Sequence, residues 1–143
     1  MIVRDVLKGK SATVWSVDPG MTVYATLELM AAKDIGAVLV VDEDGVVGVF
    51  SERDYARQVI LKGKSSRDTQ VRDVMTSRVL FVQPDDSLEE CMQLMTGKRI
   101  RHLPVQEEGR LIGLISIGDV VKAVISEKEH IIQELENYIA SAG

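Results

Sequence analysis

One pattern restricts the fold of this chain more than any other: residues 17–60 recur without a gap as residues 82–125. The two stretches share about 13 identities, among them Pro19/Pro84, Met30/Met95, Ile35/Ile100, Gly48/Gly113, Ser51/Ser116 and Asp54/Asp119. Self-similarity at a fixed spacing marks one structural unit used twice. In the first copy, Ala12 to Val17 reads as a strand ended by Asp18-Pro19-Gly20, and Thr22 caps a helix with Val23, Leu27, Met30 and Ala31 on one face. Ala37 to Val41 and Val46 to Phe50 flank the turn Asp42-Glu43-Asp44-Gly45 as a β-hairpin with a longer loop. Ser51 then opens a helix that runs to about Leu61.

The second copy follows the same order. Val79 to Val82 is the first strand, and Ser87 with Glu90 forms a capping box for a helix that turns Leu88, Cys91, Met92 and Met95 inward. His102 to Val105 and Leu111 to Ile115 make the second hairpin, and Ser116 opens the last helix. A short sticky face at Ile2, Val3, Val6 and Leu7 precedes the first copy as a clip, and Val71 to Met75 matches it before the second. The expected boundaries are 1–65 for the first repeat with its clip, 66–70 for an exposed linker, and 71–143 for the second repeat with an extended final helix. The fold class is α+β. Units of three short strands and two helices cannot cover both sheet faces alone, so the two β-α-β-β-α repeats are expected to pack about a pseudo-twofold axis with ligand clefts between them.

Charge and composition exclude several functions. A net charge of −5 lacks the broad basic face that a nucleic-acid backbone or an anionic membrane rewards, and six aromatic residues in 143 leave no stacking platform for single strands. No apolar run approaches the roughly 20 residues of a membrane span. The single cysteine, Cys91, can form no intrachain disulfide and reads as core packing in a reducing compartment, so a cytoplasmic location is expected. Two histidines and one cysteine on separate elements match no metal-ligand spacing.

The chemistry lies at the two Ser-x-x-Asp helix starts, Ser51/Asp54 and Ser116/Asp119. Each is explained locally as a near-capping box, but each also offers free N–H groups, a positive dipole end and a carboxylate that can accept both hydroxyls of a vicinal diol such as that of ribose. A Ser116–His102–Asp119 triad is disfavoured, because the helix start already employs the hydroxyl and the carboxylate and the first repeat has no matching histidine. Lys98, Arg99, Arg101 and His102 form a basic cluster in an acidic protein. Lys98 and Arg99 serve either the preceding helix end or a ligand, whereas Arg101 and His102, at a strand entrance, favour a phosphate. The first repeat has Gly36 and Ala37 at those places, and its nearest basic group is Arg53, read equally as a surface arginine or a ligand contact. The two sites are therefore expected to differ. Strand residues including Val38 and Leu103 would wall a slot for a planar base.

The last helix carries an apolar series through Val121, Val124, Ile131, Ile132, Leu135, Tyr138 and Ile139, beyond what the repeat needs. It packs either on its own lobe or, as the length favours, on a second copy.

Val-x-Pro opens each unit, Arg101-His102-Leu103-Pro104-Val105 lies in the second, and Gly-apolar-apolar-Ser-x-x-Asp closes each. In that order the chain resembles, over nearly its whole length, a tandem pair of CBS domains, the Bateman module. The resemblance implies adenosine-containing ligands such as AMP, ATP or NAD(H), with Asp54 and Asp119 on ribose hydroxyls, Ser51 and Ser116 on ribose or phosphate, and Arg101 and His102 on phosphate. Arg53, Ala37, Val38, Leu103 and Pro104 complete the candidate set. It also implies no turnover, a homodimer of the free-standing bacterial kind, and an effector protein that reads the bound state. The competing reading is a structural or dimerisation adaptor with vestigial clefts.

Overall fold

The computed structural model describes residues 1–10 and 13–142. It divides into two compact units. The first, Thr13–Leu80, holds strand β1 (Ser16–Val17), helix α2 (Val23–Lys33), strands β2 (Ala37–Asp42) and β3 (Gly45–Ser51), and helix α3 (Glu52–Tyr55), which widens into a π-helical turn over Ala56–Ile60. The second, Met1–Ala12 with Phe81–Gly143, holds helix α1 (Val3–Lys8), helix α4 (Leu88–Lys98), strands β4 (His102–Glu107) and β5 (Arg110–Ser116), and helix α5 (Ile117–Ala142). This is an α+β chain built from two repeats, as the duplication requires.

Helices α2 and α4 start where the sequence places them. Thr22 Oγ1 accepts the N–H of Ala25 at 3.1 Å and Ser87 Oγ that of Glu90 at 3.1 Å, which satisfies one orphan donor at each start. Both helices end on a left-handed residue, Asp34 and Arg99, so Arg99 closes α4 through its backbone. Inward positions differ from expectation at two places. Ala31 and Met92 face solvent; Cys91 is buried as expected, and its match in the first repeat, Thr26, is buried where no inward residue was expected. Thr26 tolerates full burial because its hydroxyl donates to the Thr22 carbonyl at 2.8 Å.

The hairpins share one register: Ala37 lies opposite Ser51 and Leu39 opposite Val49, as His102 lies opposite Ser116 and Pro104 opposite Leu114. A bulge follows the fourth residue of each inner strand. The first strands differ. β1 pairs in parallel with β2, and the Leu39 N–H donates to the Trp15 carbonyl at 3.2 Å. The strand expected over Val79 to Val82 is reduced to one bridge between Val82 and Val105. The residue matching Leu39 is Pro104, which has no N–H to give, so the ladder cannot extend in that direction. The strand expected from Ala12 begins outside the described residues and is regular only at Ser16–Val17.

The two clips change places relative to the expected boundaries. In the first unit, the Val71 N–H donates to the Met21 carbonyl (2.9 Å) and the Arg72 N–H to the Pro19 carbonyl (3.1 Å); in the second, Val3 donates to Asp86 (2.9 Å) and Arg4 to Pro84 (2.8 Å). Each bond in one unit has its match in the other. Segment 71–76 thus closes the half it follows, and α1 fills the same slot on the far half. The stretch read as a linker is likewise bonded down, with Val23 and Tyr24 donating to the carbonyls of Thr69 and Ser66 at 2.9 Å.

A glycine in each β-strand seats the clip. A Cβ at Gly113 would lie 2.6 Å from Leu7 Cδ2, and one at Gly48 would collide with the Met75 side chain and come within 3.0 Å of the Thr76 carbonyl. Only the absence of a side chain lets Leu7 and Met75 lie on the strands. The core of the first unit sets one aromatic ring, Phe50, among Val17, Val23, Met30, Val38, Val40, Val59, Val71 and Val74, all buried together.

Candidate functional site

Both Ser-x-x-Asp pairs form full reciprocal caps. Ser51 Oγ accepts the Asp54 N–H at 3.2 Å, while Asp54 Oδ2 accepts the Ser51 N–H at 2.9 Å and the Ser51 hydroxyl at 3.0 Å. Asp119 Oδ2 accepts the Ser116 N–H at 2.8 Å, and Ser116 Oγ accepts the Asp119 N–H at 3.1 Å. These bonds fix each carboxylate against its own helix start, so it is oriented before any ligand arrives. Among the predicted capping residues, the reciprocal geometry thus belongs to the aspartates; at α4 the bond described is the one from Glu90 N–H to Ser87.

The remaining partner of each carboxylate comes from the exchanged clips. Thr76, one residue past Met75, donates its hydroxyl to Asp54 Oδ1 at 3.0 Å. Lys10, three residues past Leu7, donates its ammonium to Asp119 Oδ2 at 2.6 Å and to the Leu114 carbonyl at 2.7 Å. Burial pushes the Asp119 carboxyl up, but the Lys10 bond, the Ser116 N–H and the Lys10 charge outweigh it and hold the group below the ordinary aspartate value. Sequence reasoning missed both residues. Val-Arg-Asp-Val at 3–6 and 71–74 marks the two clips as equivalent, but the repeat singles out neither Lys10 nor Thr76.

Strand register gathers the rest of the second cluster. His102 stands directly across from Ser116, which puts two half-buried side chains on one face, and the Arg101 carbonyl accepts the first N–H of α5, from Ile117, at 2.8 Å. The side chain of Arg101 is exposed. In the first unit Ala37 holds the place of His102 and the Gly36 carbonyl that of Arg101, accepting the Glu52 N–H at 3.1 Å. Arg53 is half-buried on α3. Val38 and Leu103, expected to wall a base slot, are fully buried, Val38 within the core, and neither exposes surface; Ala37 and Pro104 are buried too. One open depression lies elsewhere, along α4, lined by Glu90, Gln93, Leu94, Gly97 and Lys98.

Other chemistries find little support in the geometry. Burial, with Asp86 and Glu90 nearby, pushes the Cys91 thiol up to about 11, far from the thiolate a reactive cysteine needs. Among the described residues no three His, Cys, Asp or Glu side chains gather where they could hold a metal ion, and no helix is long and apolar enough to cross a membrane.

Residues 3–60 and 71–126 each match the family model described as the CBS domain. The chain belongs to the CBS-domain family, as a tandem pair. This CBS pair is 40% identical over 147 residues to the CBS domain-containing protein CBSX3, mitochondrial, of Arabidopsis thaliana, an alignment spanning 96% of this chain and 71% of that one. Its fold matches a solved CBS-domain protein from Burkholderia ambifaria with a TM-score of 0.85 at 50% identity, over 88% of this chain and 95% of the other. The CBS pair of protein MJ0100, solved with 5′-methylthioadenosine and S-adenosyl-L-methionine, matches in fold with a TM-score of 0.76 at 19% identity, over 89% of this chain and 98% of that one.

Proposed function

We propose that this CBS pair is a regulatory module that senses adenine nucleotides without turning them over, taking AMP, ATP or NAD(H) at its two Ser-x-x-Asp helix starts. The observation that carries the reading is the reciprocal capping itself. In both repeats a carboxylate is locked in orientation by its own backbone, a preorganised acceptor for a ribose diol. Around Asp119 the neighbours suit a phosphate: Lys10 bonds the carboxylate, His102 faces Ser116, and Arg101 stands at the strand entrance. A diol that takes Asp119 Oδ2 releases the Lys10 ammonium toward a neighbouring phosphate. Around Asp54 the equivalent partner is the neutral Thr76 hydroxyl, so the two sites would prefer ligands of different charge. The adenosine-type ligands of the MJ0100 pair, a protein of the same fold, support the ligand class.

Titration calorimetry with AMP, ATP, NAD and NADH tests this on the wild type and on Asp119→Asn, which keeps an oxygen for the Ser116 N–H. Binding below millimolar, weakened in the variant, is the expected result. If none of the four ligands binds, or the variant binds as tightly as the wild type, the reading fails.

The adaptor reading is favoured by one observation, the exposed second half of α5. It predicts that truncation after Ile125 abolishes association in a chain that binds no nucleotide.

A further inference from the structure

The turn that ends the first repeat concentrates positive charge. Residues 57–67 hold Arg57, Lys62, Lys64 and Arg67 and no carboxylate, in a chain of net charge −5. The matching stretch of the second repeat, 122–132, sets two lysines against two glutamates and continues as helix α5. The basic tip is therefore not a requirement of the repeated unit. All four cations are exposed, and among the described residues none of them forms an ion pair with a carboxylate. Leu61 lies within this run. At 78% it is the most exposed large apolar side chain among the described residues, and Ile60 beside it is 55% exposed.

The backbone under these groups is closely bonded. The Leu61 N–H reaches the Ala56 carbonyl at 3.1 Å to close the π-helical turn, a feature that gathers at functional positions, and Val59 within it is buried. Gly63 is left-handed, with φ +68°, which lets the N–H groups of Gly63 and Lys64 turn back to the carbonyls of Ile60 and Val59 at 3.1 and 2.9 Å. The Asp68 N–H and the Thr69 hydroxyl then share the Ser65 carbonyl at 3.2 and 2.6 Å, and the Arg67 guanidinium lies 3.9 Å over the Tyr24 ring. A partner that docks here meets a surface already in shape and loses little to ordering.

We propose that residues 57–67 form a docking surface for an acidic segment of a different protein, one that presents carboxylates around an apolar side chain. An apolar centre with a charged rim is the anatomy of a protein–protein contact, and four cations without carboxylate partners set the sign of what they meet. A single-stranded nucleic acid would ask for a free aromatic face, but Tyr24 is already covered by Arg67. An anionic membrane would meet one small cationic tip on an otherwise acidic molecule, whose remaining charge repels it. An acidic segment needs only the tip.

The surface stands apart from the ligand reading and is tested without nucleotide. The probe is a fluorescein-labelled peptide of repeated Glu-Glu-Leu, followed by anisotropy on the full chain. It should bind in dilute buffer, more tightly than a matched Lys-Lys-Leu peptide, and be released in about 0.5 M NaCl, where exposed charges are screened. Lys62→Glu/Lys64→Glu should weaken binding about tenfold or more, and Leu61→Ser about tenfold. Arg110→Glu/Lys122→Glu, the same change of net charge on exposed positions of the second unit, should leave it unchanged. A wild-type chain that does not bind the peptide overturns the proposal, as do equal binding of the Lys-Lys-Leu peptide, tip variants that bind like the wild type, and an equal loss in the second-unit variant. Tighter binding of mixed phosphatidylcholine and phosphatidylserine vesicles, or of a single-stranded DNA oligonucleotide, lost in the tip variants, overturns it in favour of a membrane or a nucleic acid. Self-association of the chain that the tip variants abolish overturns it in favour of a second copy.

Discussion

The two helix starts of this CBS pair hold the same backbone and the same serine and aspartate, and differ in what reaches them from the clip. Asp54 meets a hydroxyl from Thr76, and Asp119 meets an ammonium from Lys10. Formal charge follows. Glu52, Arg53 and Asp54 sum to −1 at the first start, whereas Lys10, Arg101 and Asp119 sum to +1 at the second. Duplication supplied two equal frames, and substitutions in the clip, at the strand entrance and on the helix start made them unequal. On the proposed reading, ligand preference would follow the clip as much as the motif.

The contrast can be broken most directly at the carboxylates. Asp119→Ala and Asp54→Ala should each weaken nucleotide binding at their own site by roughly ten- to a hundredfold, the worth of a hydrogen bond to a charged group at about 1.5–3 kcal/mol. Calorimetry on each variant that finds one unchanged and the other abolished would confine binding to a single repeat.

The glycines that seat the clips should rank next. Gly48→Ala is expected to cost about 1–3 kcal/mol of unfolding free energy, because a Cβ there meets Met75 and the Thr76 backbone, and Gly113→Ala less, because the flexible end of Leu7 can turn aside. Urea midpoints of the two variants decide the order, and equal losses would remove the distinction.

Lys10→Met sharpens the comparison at the level of charge. It should lower affinity for AMP relative to adenosine, while costing no more than about 1 kcal/mol of stability, as expected for a partly exposed pair. It should also flatten stability against pH. Asp119 has its carboxyl depressed in the fold, so its contribution is present above the unfolded value near 3.8 and is lost as the pH falls through the lower folded value. Urea midpoints between about pH 5 and 2 should therefore fall more steeply for the wild type than for the variant. The smallest effect belongs to Pro104→Leu. Restoring an N–H there should lengthen the Val82 bridge toward the β1 pattern and slow amide exchange beside it, with a stability change of a few tenths of a kcal/mol.

Much of this was legible in the sequence, and the reasons for the rest are physical. Thr22, Ser87, Ser51 and Ser116 each announce a helix start through local chemistry, and the hairpins follow from apolar runs around short turns. Strand register, which follows from the hairpins, brings His102 to Ser116. The exchanged clips were not legible, since a six-residue helix carries no mark of which half it will close. Nor was Lys10, whose bond to Asp119 spans 109 residues of chain. The shortened strand at Val82 could have been read from Pro104, whose missing donor is visible in the sequence, but only once the hairpin had been aligned against β1. Met92 was misplaced because Cys91 and Met95 already fill the inward arc of α4.

The placement of α1 on the far half has a consequence for biosynthesis. Residues 3–10 leave the ribosome ahead of the groups they bind, from Pro84 to Asp119, which emerge on the order of 100 residues later, or roughly 5–20 s at ordinary elongation speeds. For that interval the nascent chain carries Val3 and Val6 with no surface to bury them, while Thr13–Leu80 already has every segment it needs. A tag or fusion ahead of Met1 therefore burdens the last part of the molecule to mature.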